Sequence, residues 1–179
     1  MKMQLLWSAL VMLVFASCSP QYSYFTEDLY KKQKWTAEDI RQIQFYVSKD
    51  IVLSREVVAG ETQITEGKIR IKNGRKIEQV LIKAGTPGIL VLMPKENRFA
   101  ISFEEDNDAY LMFGPNPKFY DRFVLLAQDW EKEDGKVHYK GKVYTVDSES
   151  AFSSLMVDLK KTGENEYQSR KVQGRLIKG

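Results

Sequence analysis

The densest group of residues that could do chemistry in this chain is an acidic run. Glu104, Glu105, Asp106 and Asp108 surround Asn107, and hard cations such as Ca²⁺ take oxygen ligands of these types. Adjacent residues at the end of a strand point to opposite sides, so few of the five can converge on one ion. The spacing also differs from that of an EF-hand loop. We therefore predict a solvated hairpin tip and no metal site.

His138 is the one histidine among the 179 residues, so a histidine general base would have to be this residue. It lies between Lys136 and Lys140 beside a turn, without a Ser or Cys motif nearby, which predicts a surface strand histidine. The sequence carries no nucleophile elbow, phosphate-binding loop or zinc-ligand cluster. It therefore predicts no catalytic residue and no cofactor. A hydrolase that uses carboxylates alone stays open, because its acids need to be close only in space.

The first twenty residues have the pattern of a secretory signal peptide. Lys2 precedes an apolar run of eleven residues, Leu5 to Phe15, and the small residues Ala16 and Ser17 follow it. That run is too short to cross a bilayer as a helix, which needs about 20 residues. A charged start, a short apolar run and a small-residue zone are typical of a cleaved export signal.

Phe15-Ala16-Ser17-Cys18 resembles the lipobox of bacterial lipoproteins, with Phe15 at the position usually held by Leu. The resemblance implies cleavage before Cys18, lipidation of its sulfur and acylation, for example by palmitate, of the new amino terminus. More than one acyl chain gives stable membrane anchoring, whereas a single chain is marginal. In that family, Asp after the Cys favours the inner membrane. Ser19 stands there in this chain, so the resemblance implies the outer membrane of the cell envelope.

The last twenty residues, Lys160 to Gly179, carry six Lys and Arg against Glu164 and Glu166. A solvated edge strand protected by lysines explains this balance most simply. An anionic lipid or polysaccharide surface is the partner that suits an exported protein. Nucleic acid is not expected, because the signal peptide directs the chain out of the cytoplasm.

The chain divides into a signal peptide at 1–17, a lipidated Cys and tether at 18–35, and one β-rich domain at 36–179. A short helix is predicted from about Ala37 to Ile43, with Thr36 as its N-cap and Asp39 at the N3 position of a capping box. Trp35 and Ile40 occupy the two positions of a hydrophobic staple.

After this helix the hydrophobic period changes to two. The pattern predicts about nine or ten short strands at spacings near ten residues, and therefore an all-β fold, an antiparallel barrel or sandwich. The first is a long strand from Gln44 to Val58, interrupted near Lys49 and Asp50 by a bulge or bend. The run from Ile89 to Met93 is apolar at every position, which predicts a central strand buried on both faces.

The segment around Asn73-Gly74 predicts a hairpin with one of two registers. A two-residue loop would pair Ile71 with Lys76 and Ile69 with Glu78, which places apolar side chains opposite charged ones. A three-residue loop beginning at Lys72 would pair Ile69 with Ile77 and Lys68 with Glu78. We predict the three-residue loop, with Gly74 in the left-handed conformation, because it keeps an apolar face together.

These observations leave three hypotheses for function. The first is a non-catalytic envelope lipoprotein, a binding or assembly module anchored by Cys18 that has an envelope protein or polysaccharide as its partner. The second is a β-barrel that holds a small apolar ligand, which would require an interior cavity on the order of 300 Å³ or more. The third is an envelope hydrolase with two acids about 5–9 Å apart in a cleft. We favour the first.

Overall fold

A computed structural model of the chain describes residues 21–57, 68–72, 74–106 and 108–159. Cys18, the segment 58–67 and the basic segment 160–179 lie outside these described residues. The described strands and helices are β1 (Tyr22–Tyr24), α1 (Glu27–Gln33), α2 (Ala37–Gln42), β2 (Phe45–Val47), β3 (Ile51–Glu56), β4 (Lys68–Lys72), β5 (Arg75–Ile82), β6 (Pro87–Lys95), β7 (Arg98–Ser102), β8 (Tyr110–Asn116), a 3-10 turn (Pro117–Phe119), β9 (Arg122–Leu125), β10 (Gln128–Glu131), β11 (Asp134–Tyr139), β12 (Lys142–Asp147), α3 (Ser148–Ala151) and β13 (Leu155–Asp158).

The strands form two antiparallel sheets. A seven-stranded sheet has the order β1-β13-β2-β6-β7-β8-β9, and a six-stranded sheet has the order β10-β11-β12-β3-β5-β4. The seven-stranded sheet curls until its last strand meets the segments beside its first strands. Phe123 N donates to Phe25 O at 3.0 Å and Leu125 N donates to Ser153 O at 3.1 Å. The predicted all-β fold is confirmed, with more strands than the sequence indicated.

One continuous cluster of buried side chains fills the space between the sheets, and both sheets contribute to it. Its centre in the seven-stranded sheet is aromatic: Phe25 and Phe99 each contact Phe123 with ring centroids 4.8 Å apart, and Phe25 meets Phe45 edge to face at 5.3 Å. The six-stranded sheet adds, among others, Leu53, Ile82, Val137, Tyr144 and Val146. Dense packing of this kind is what makes the interior a solid core.

The folded domain begins earlier than Thr36. The segment predicted to be a tether forms β1, which pairs with β13 from Tyr22 onward, and the helix α1. Phe25 is fully buried and stacks on Trp35 with centroids 5.9 Å apart. The prediction was wrong here because the apolar contacts of this short segment are made with residues distant in sequence, which local patterning does not reveal.

The helix α2 lies in the segment where the sequence predicts one. The Thr36 side chain accepts a hydrogen bond from Asp39 N at 3.2 Å, and Asp39 Oδ2 accepts from Thr36 N at 2.8 Å, so a capping box is formed. These bonds lower the pKa of the Asp39 carboxyl. Beyond α2, the strand predicted from Gln44 to Val58 is two strands, β2 and β3, which belong to different sheets. The predicted interruption is therefore the point where the chain crosses between the sheets.

The β4–β5 hairpin has the register of a two-residue loop, so the predicted three-residue loop is wrong. Ile71 pairs with Lys76 and Ile69 pairs with Glu78, as in a two-residue turn. The predicted three-residue loop requires that β4 has a buried face. However, β4 is the outer strand of its sheet and Ile71 is 78% exposed, so no buried face constrains the register.

The strand β6 is central in its sheet, as predicted, but it is not buried on both faces. Leu90 is buried, whereas Ile89 on the opposite face is 49% exposed and Leu92 is also exposed. An antiparallel sheet commonly packs one face on the core and leaves the other in solvent. The continuous apolar run therefore identified the position of the strand correctly and its burial incorrectly.

Candidate functional site

Two turns from different sheets meet at one end of the sandwich. The first joins β7 to β8 and contains the acidic run. Ser102, which is buried, holds it in shape, because its Oγ lies 2.9 Å from Glu104 O and 3.1 Å from Asp106 O. Asp106 Oδ1 accepts a hydrogen bond from Asp108 N at 3.0 Å. The turn is therefore shaped by its own side chains, which is how Ser and Asp stabilise turns generally.

The second turn joins β11 to β12 through Lys140 and Gly141. Both residues have positive φ, 48° and 69°, which is the conformation of a two-residue hairpin turn. Lys140 N donates to Asp108 O at 3.3 Å and connects the two turns. Gly141 serves this turn well because a left-handed conformation is inexpensive without a Cβ atom.

A polar network links the side chains of the two turns. The Tyr139 hydroxyl donates a hydrogen bond to Glu104 Oε1, and Lys140 Nζ lies 2.6 Å from Glu104 Oε2. The same ammonium is 3.9 Å from Asp106 Oδ2. Burial, assisted by the bond to Glu104, raises the pKa of Tyr139, so its hydroxyl stays protonated as a donor. Because charge-assisted bonds are stronger than neutral ones, this network fixes the two turns relative to each other.

The acidic run is therefore more than a solvated tip. Glu104 is engaged through both carboxylate oxygens, a contact between two hairpins that the spacing in one strand could not predict. Glu105 remains exposed, as expected. Among the residues that the structure describes, no three His, Cys, Asp or Glu side chains are arranged to hold a metal ion.

A pocket of about 580 Å³ opens between the two turns. Its lining is mostly polar and consists of Asp106, Asp108, Tyr110, His138, Tyr139, Lys140 and Gly141. His138 is exposed on β11 opposite Val143, which confirms the predicted surface strand histidine. Carboxylates accept hydrogen bonds, a phenol donates and accepts, and an imidazole does both. The pocket therefore suits a ligand rich in hydroxyl or amino groups.

A second cluster of polar side chains lies on the inner face of the six-stranded sheet, and it was not predicted from the sequence. Arg55 pairs across β3 and β5 with Glu78, and its Nε is 2.5 Å from Glu78 Oε2. The Arg55 guanidinium also lies 5.8 Å from the ring centroid of Tyr144. Arg55 shares its face of the strand with Ile51 and Leu53, both fully buried. A period-two reading of β3 would have marked it as inward-facing.

Two buried atoms of this group, Glu78 Oε1 and the Tyr144 hydroxyl, have no hydrogen-bond partner among the residues that the structure describes. Such atoms are costly in a protein interior unless another interaction compensates them. The pocket lining does not include either residue, so this buried group and the pocket are separate features.

Comparisons of this chain with protein-family models, with curated proteins and with solved structures gave no match. Among the described residues, no helix is long and apolar enough to cross a membrane. The case for a function therefore depends on the sequence pattern at Cys18 and on the geometry of the pocket.

Proposed function

We propose that this protein is a non-catalytic lipoprotein of the cell envelope. It is a binding module that is anchored through lipidated Cys18 and binds its ligand in the pocket between the two turns. The lipobox-like residues before Cys18 support the anchor. The observation that carries the binding role is the polar pocket of about 580 Å³ and the network that holds its walls.

The ligand class follows from the lining. Asp106 and Asp108 offer carboxylate oxygens, and Tyr110 and His138 add a phenol and an imidazole at the same opening. Hydroxyl groups of a saccharide donate to carboxylates and accept from phenols, so an envelope polysaccharide is the partner with the matching chemistry. An envelope protein could present the same groups only through its polar side chains.

A binding role also agrees with how the charged groups are used. Glu104 accepts from Tyr139 and pairs with Lys140, so neither of its oxygens is left for proton transfer in this arrangement. The network holds the two turns in position, and Glu104 is not available as a general base in this arrangement. Glu104 therefore holds the shape of the site, while Asp106 and Asp108 are the carboxylates that line the pocket.

The alternative of an apolar ligand inside the β-structure has less support. Phe25, Phe45, Phe99 and Phe123 occupy the centre of the curled sheet, with ring centroids 4.8–6.1 Å apart. A ligand there would have to displace these rings, which are close-packed against one another.

Calorimetric titration of the mature lipidated protein, which begins at Cys18, in detergent micelles tests the binding role. The probe is a set of oligosaccharides released from cell-envelope polysaccharide. We expect saturable binding that Asp108→Asn and His138→Gln each weaken about tenfold, since each removes contacts worth about 1.4 kcal/mol. Asp134→Asn is the matched control, because Asp134 is exposed at the other end of β11. Absence of saturable binding, or an equal loss in the control, would contradict the proposal.

A further inference from the structure

The side chain of Arg122 lies against two tyrosine rings on the outer face of the seven-stranded sheet. Phe123, the next residue of β9, is fully buried in the core, so Arg122 projects from the opposite face. Its guanidinium carbon is 3.7 Å from the ring centroid of Tyr24 and 5.7 Å from that of Tyr120. A contact of 3.7 Å uses the flat face of the guanidinium, and its N–H groups point outward within the plane. The rings therefore hold the cation and leave its hydrogen-bonding edge for another partner.

Backbone pairing fixes the position of this arginine. Arg122 is the first residue of β9, where it pairs with Asn116 of β8 and forms an isolated bridge with Thr26. Tyr24 lies two residues before Thr26 and therefore projects from the same face of the chain. Segments that are distant in sequence thus place the guanidinium on its stacking partner before any ligand arrives, which is the preorganisation that a binding group needs.

Tyr120 is held in a backbone conformation that residues with a side chain rarely adopt. Its φ is 57° and that of Asp121 is 54°, so two consecutive residues other than glycine occupy the left-handed region. The Tyr120 side chain is 82% exposed, so packing in the core does not account for this placement. Strained residues of this kind cluster at functional sites, where the surrounding structure holds them in place. The turn therefore presents an aromatic ring to solvent beside Arg122.

The charge of Arg122 is not neutralised by a neighbour. In the part of the chain that the structure describes, its guanidinium forms no ion pair and no hydrogen bond, not even with Asp121 beside it. Glu27, whose amide donates to Asp121 O at 3.0 Å, directs its carboxylate to Lys31 at 3.1 Å. Lys118 in the same turn as Tyr120 is exposed and adds positive charge. This surface therefore attracts an anion and has unused donors to bind it.

We propose that Arg122 and Tyr120 form a binding site for an acidic sugar. The carboxylate or phosphate of the sugar binds the guanidinium edge, which suits either anion through two parallel hydrogen bonds. The apolar C–H side of the sugar ring packs on the exposed face of Tyr120. The guanidinium carbon and the Tyr120 ring centroid are 5.7 Å apart, so one sugar residue can contact both. The pocket lining includes neither residue, so this site goes beyond the proposed function and does not depend on it.

Nuclear magnetic resonance titration of the mature protein in nonionic detergent micelles tests this site. The probes are glucuronate and glucose 6-phosphate, which carry the two anions on a sugar ring. Glucose and acetate are the controls, because the first lacks the anion and the second lacks the ring. Binding is followed through the backbone amide signals of Asp121 and Phe123, which remain in every variant.

We expect saturable shifts with at least one acidic sugar, and the comparison of the two identifies the preferred anion. Glucose should bind about tenfold more weakly because it makes no charge-assisted hydrogen bond. Acetate should bind about threefold more weakly because it makes no contact with the Tyr120 ring. Absence of a saturable shift with both acidic sugars would overturn the proposal. Equal affinity for glucose, or for acetate, would also overturn it.

Variants separate the two contacts. Arg122→Gln should weaken binding of the acidic sugar about tenfold, and Arg122→Lys should restore it only in part, because an ammonium lacks the flat face and the two-pronged edge. Arg41→Gln is the matched control, because Arg41 is an exposed arginine on α2. Tyr120→Gly separates binding from folding. Glycine relieves the left-handed strain, so the urea midpoint should stay equal or rise while the affinity falls about threefold.

Unchanged binding in Arg122→Gln, or an equal loss in Arg41→Gln, would overturn the role of Arg122. A lower urea midpoint in Tyr120→Gly with unchanged affinity would show that the ring has only a structural role, which would also overturn the proposal. Asp108→Asn changes the pocket and should leave this titration unaffected, so the failure of either site can be distinguished from the failure of the other.

Discussion

Arg55 and Glu78 face each other across β3 and β5 and form an ion pair inside the protein, with Nε 2.5 Å from Oε2. Glu78 is fully buried, and within the described part of the chain its second oxygen has no hydrogen-bond partner. Taking two charges out of water is expensive, so such a pair stabilises only when both members are present. We therefore expect a single substitution in this pair to destabilise the protein more than replacement of both residues.

Glu78→Ala is expected to lower the free energy of unfolding by about 3–5 kcal/mol, because it removes a fully buried member of the Arg55–Glu78 ion pair. The double variant Arg55→Met with Glu78→Leu should lose less than Glu78→Ala, since neither charge then remains buried. Urea unfolding of the three proteins measures the difference. A double variant at least as unstable as Glu78→Ala would contradict this explanation.

Tyr139→Phe is expected to cost about 1.5–3 kcal/mol, the range for a hydrogen bond to a charged group, because it removes the donor to Glu104 Oε1. Tyr120→Phe is the matched control: Tyr120 is exposed, so its hydroxyl should contribute almost nothing. Urea midpoints of both variants give the comparison. Equal stability of the two variants would show that the Tyr139 bond does not hold the turns together.

The same hydroxyl predicts a loss of stability in alkali. The pKa of Tyr139 is raised above the ordinary 10.0 in the folded chain, chiefly by burial. The contribution to stability is therefore complete below pH 10 and is lost as the pH rises above it, because only the unfolded chain releases the proton there. Unfolding free energies at pH 8 and pH 11 should differ less in Tyr139→Phe than in the parent. An unchanged difference would refute the assignment.

The turn conformation at Gly74 and the register of the β4–β5 hairpin can be checked with one substitution each. Gly74 has a φ of 76°, so Gly74→Val should lower stability by about 1–2 kcal/mol through backbone strain. Ile71→Thr should change stability by less than about 0.5 kcal/mol, because the side chain is mostly exposed. Urea melts measure both. A large loss for Ile71→Thr would favour the three-residue loop, in which the isoleucines share a buried face.

Cys18→Ser is expected to leave the chain uncleaved or to release it from the membrane, because no other residue in the sequence can carry the thioether-linked lipid. Membrane fractionation after an alkaline wash, with the mass of the mature chain, measures this. Ser17→Ala is the control, since it keeps a small residue before the cleavage point. A Cys18→Ser protein that is processed and held normally would argue against lipidation.

Strand periodicity and turn residues are local properties that do not depend on tertiary contacts, so the all-β class could be predicted from the sequence. The sequence also predicted an interruption near Lys49 and Asp50, where the chain crosses between the sheets, and a central strand at β6. His138 was correctly assigned to an exposed strand position from its lysine neighbours and the nearby turn.

Register, burial and contacts between hairpins could not be predicted, because they depend on which element each face of a strand packs against. The register around Gly74 followed from the position of β4 at a sheet edge, and the folding of Tyr22–Gln33 followed from Phe25 packing on distant rings. The network of Tyr139, Glu104 and Lys140 joins two hairpins some 35 residues apart, as the sequence separation of its hydrogen bond shows. No local pattern encodes which turns meet in space, so the pocket could be found only in the folded chain.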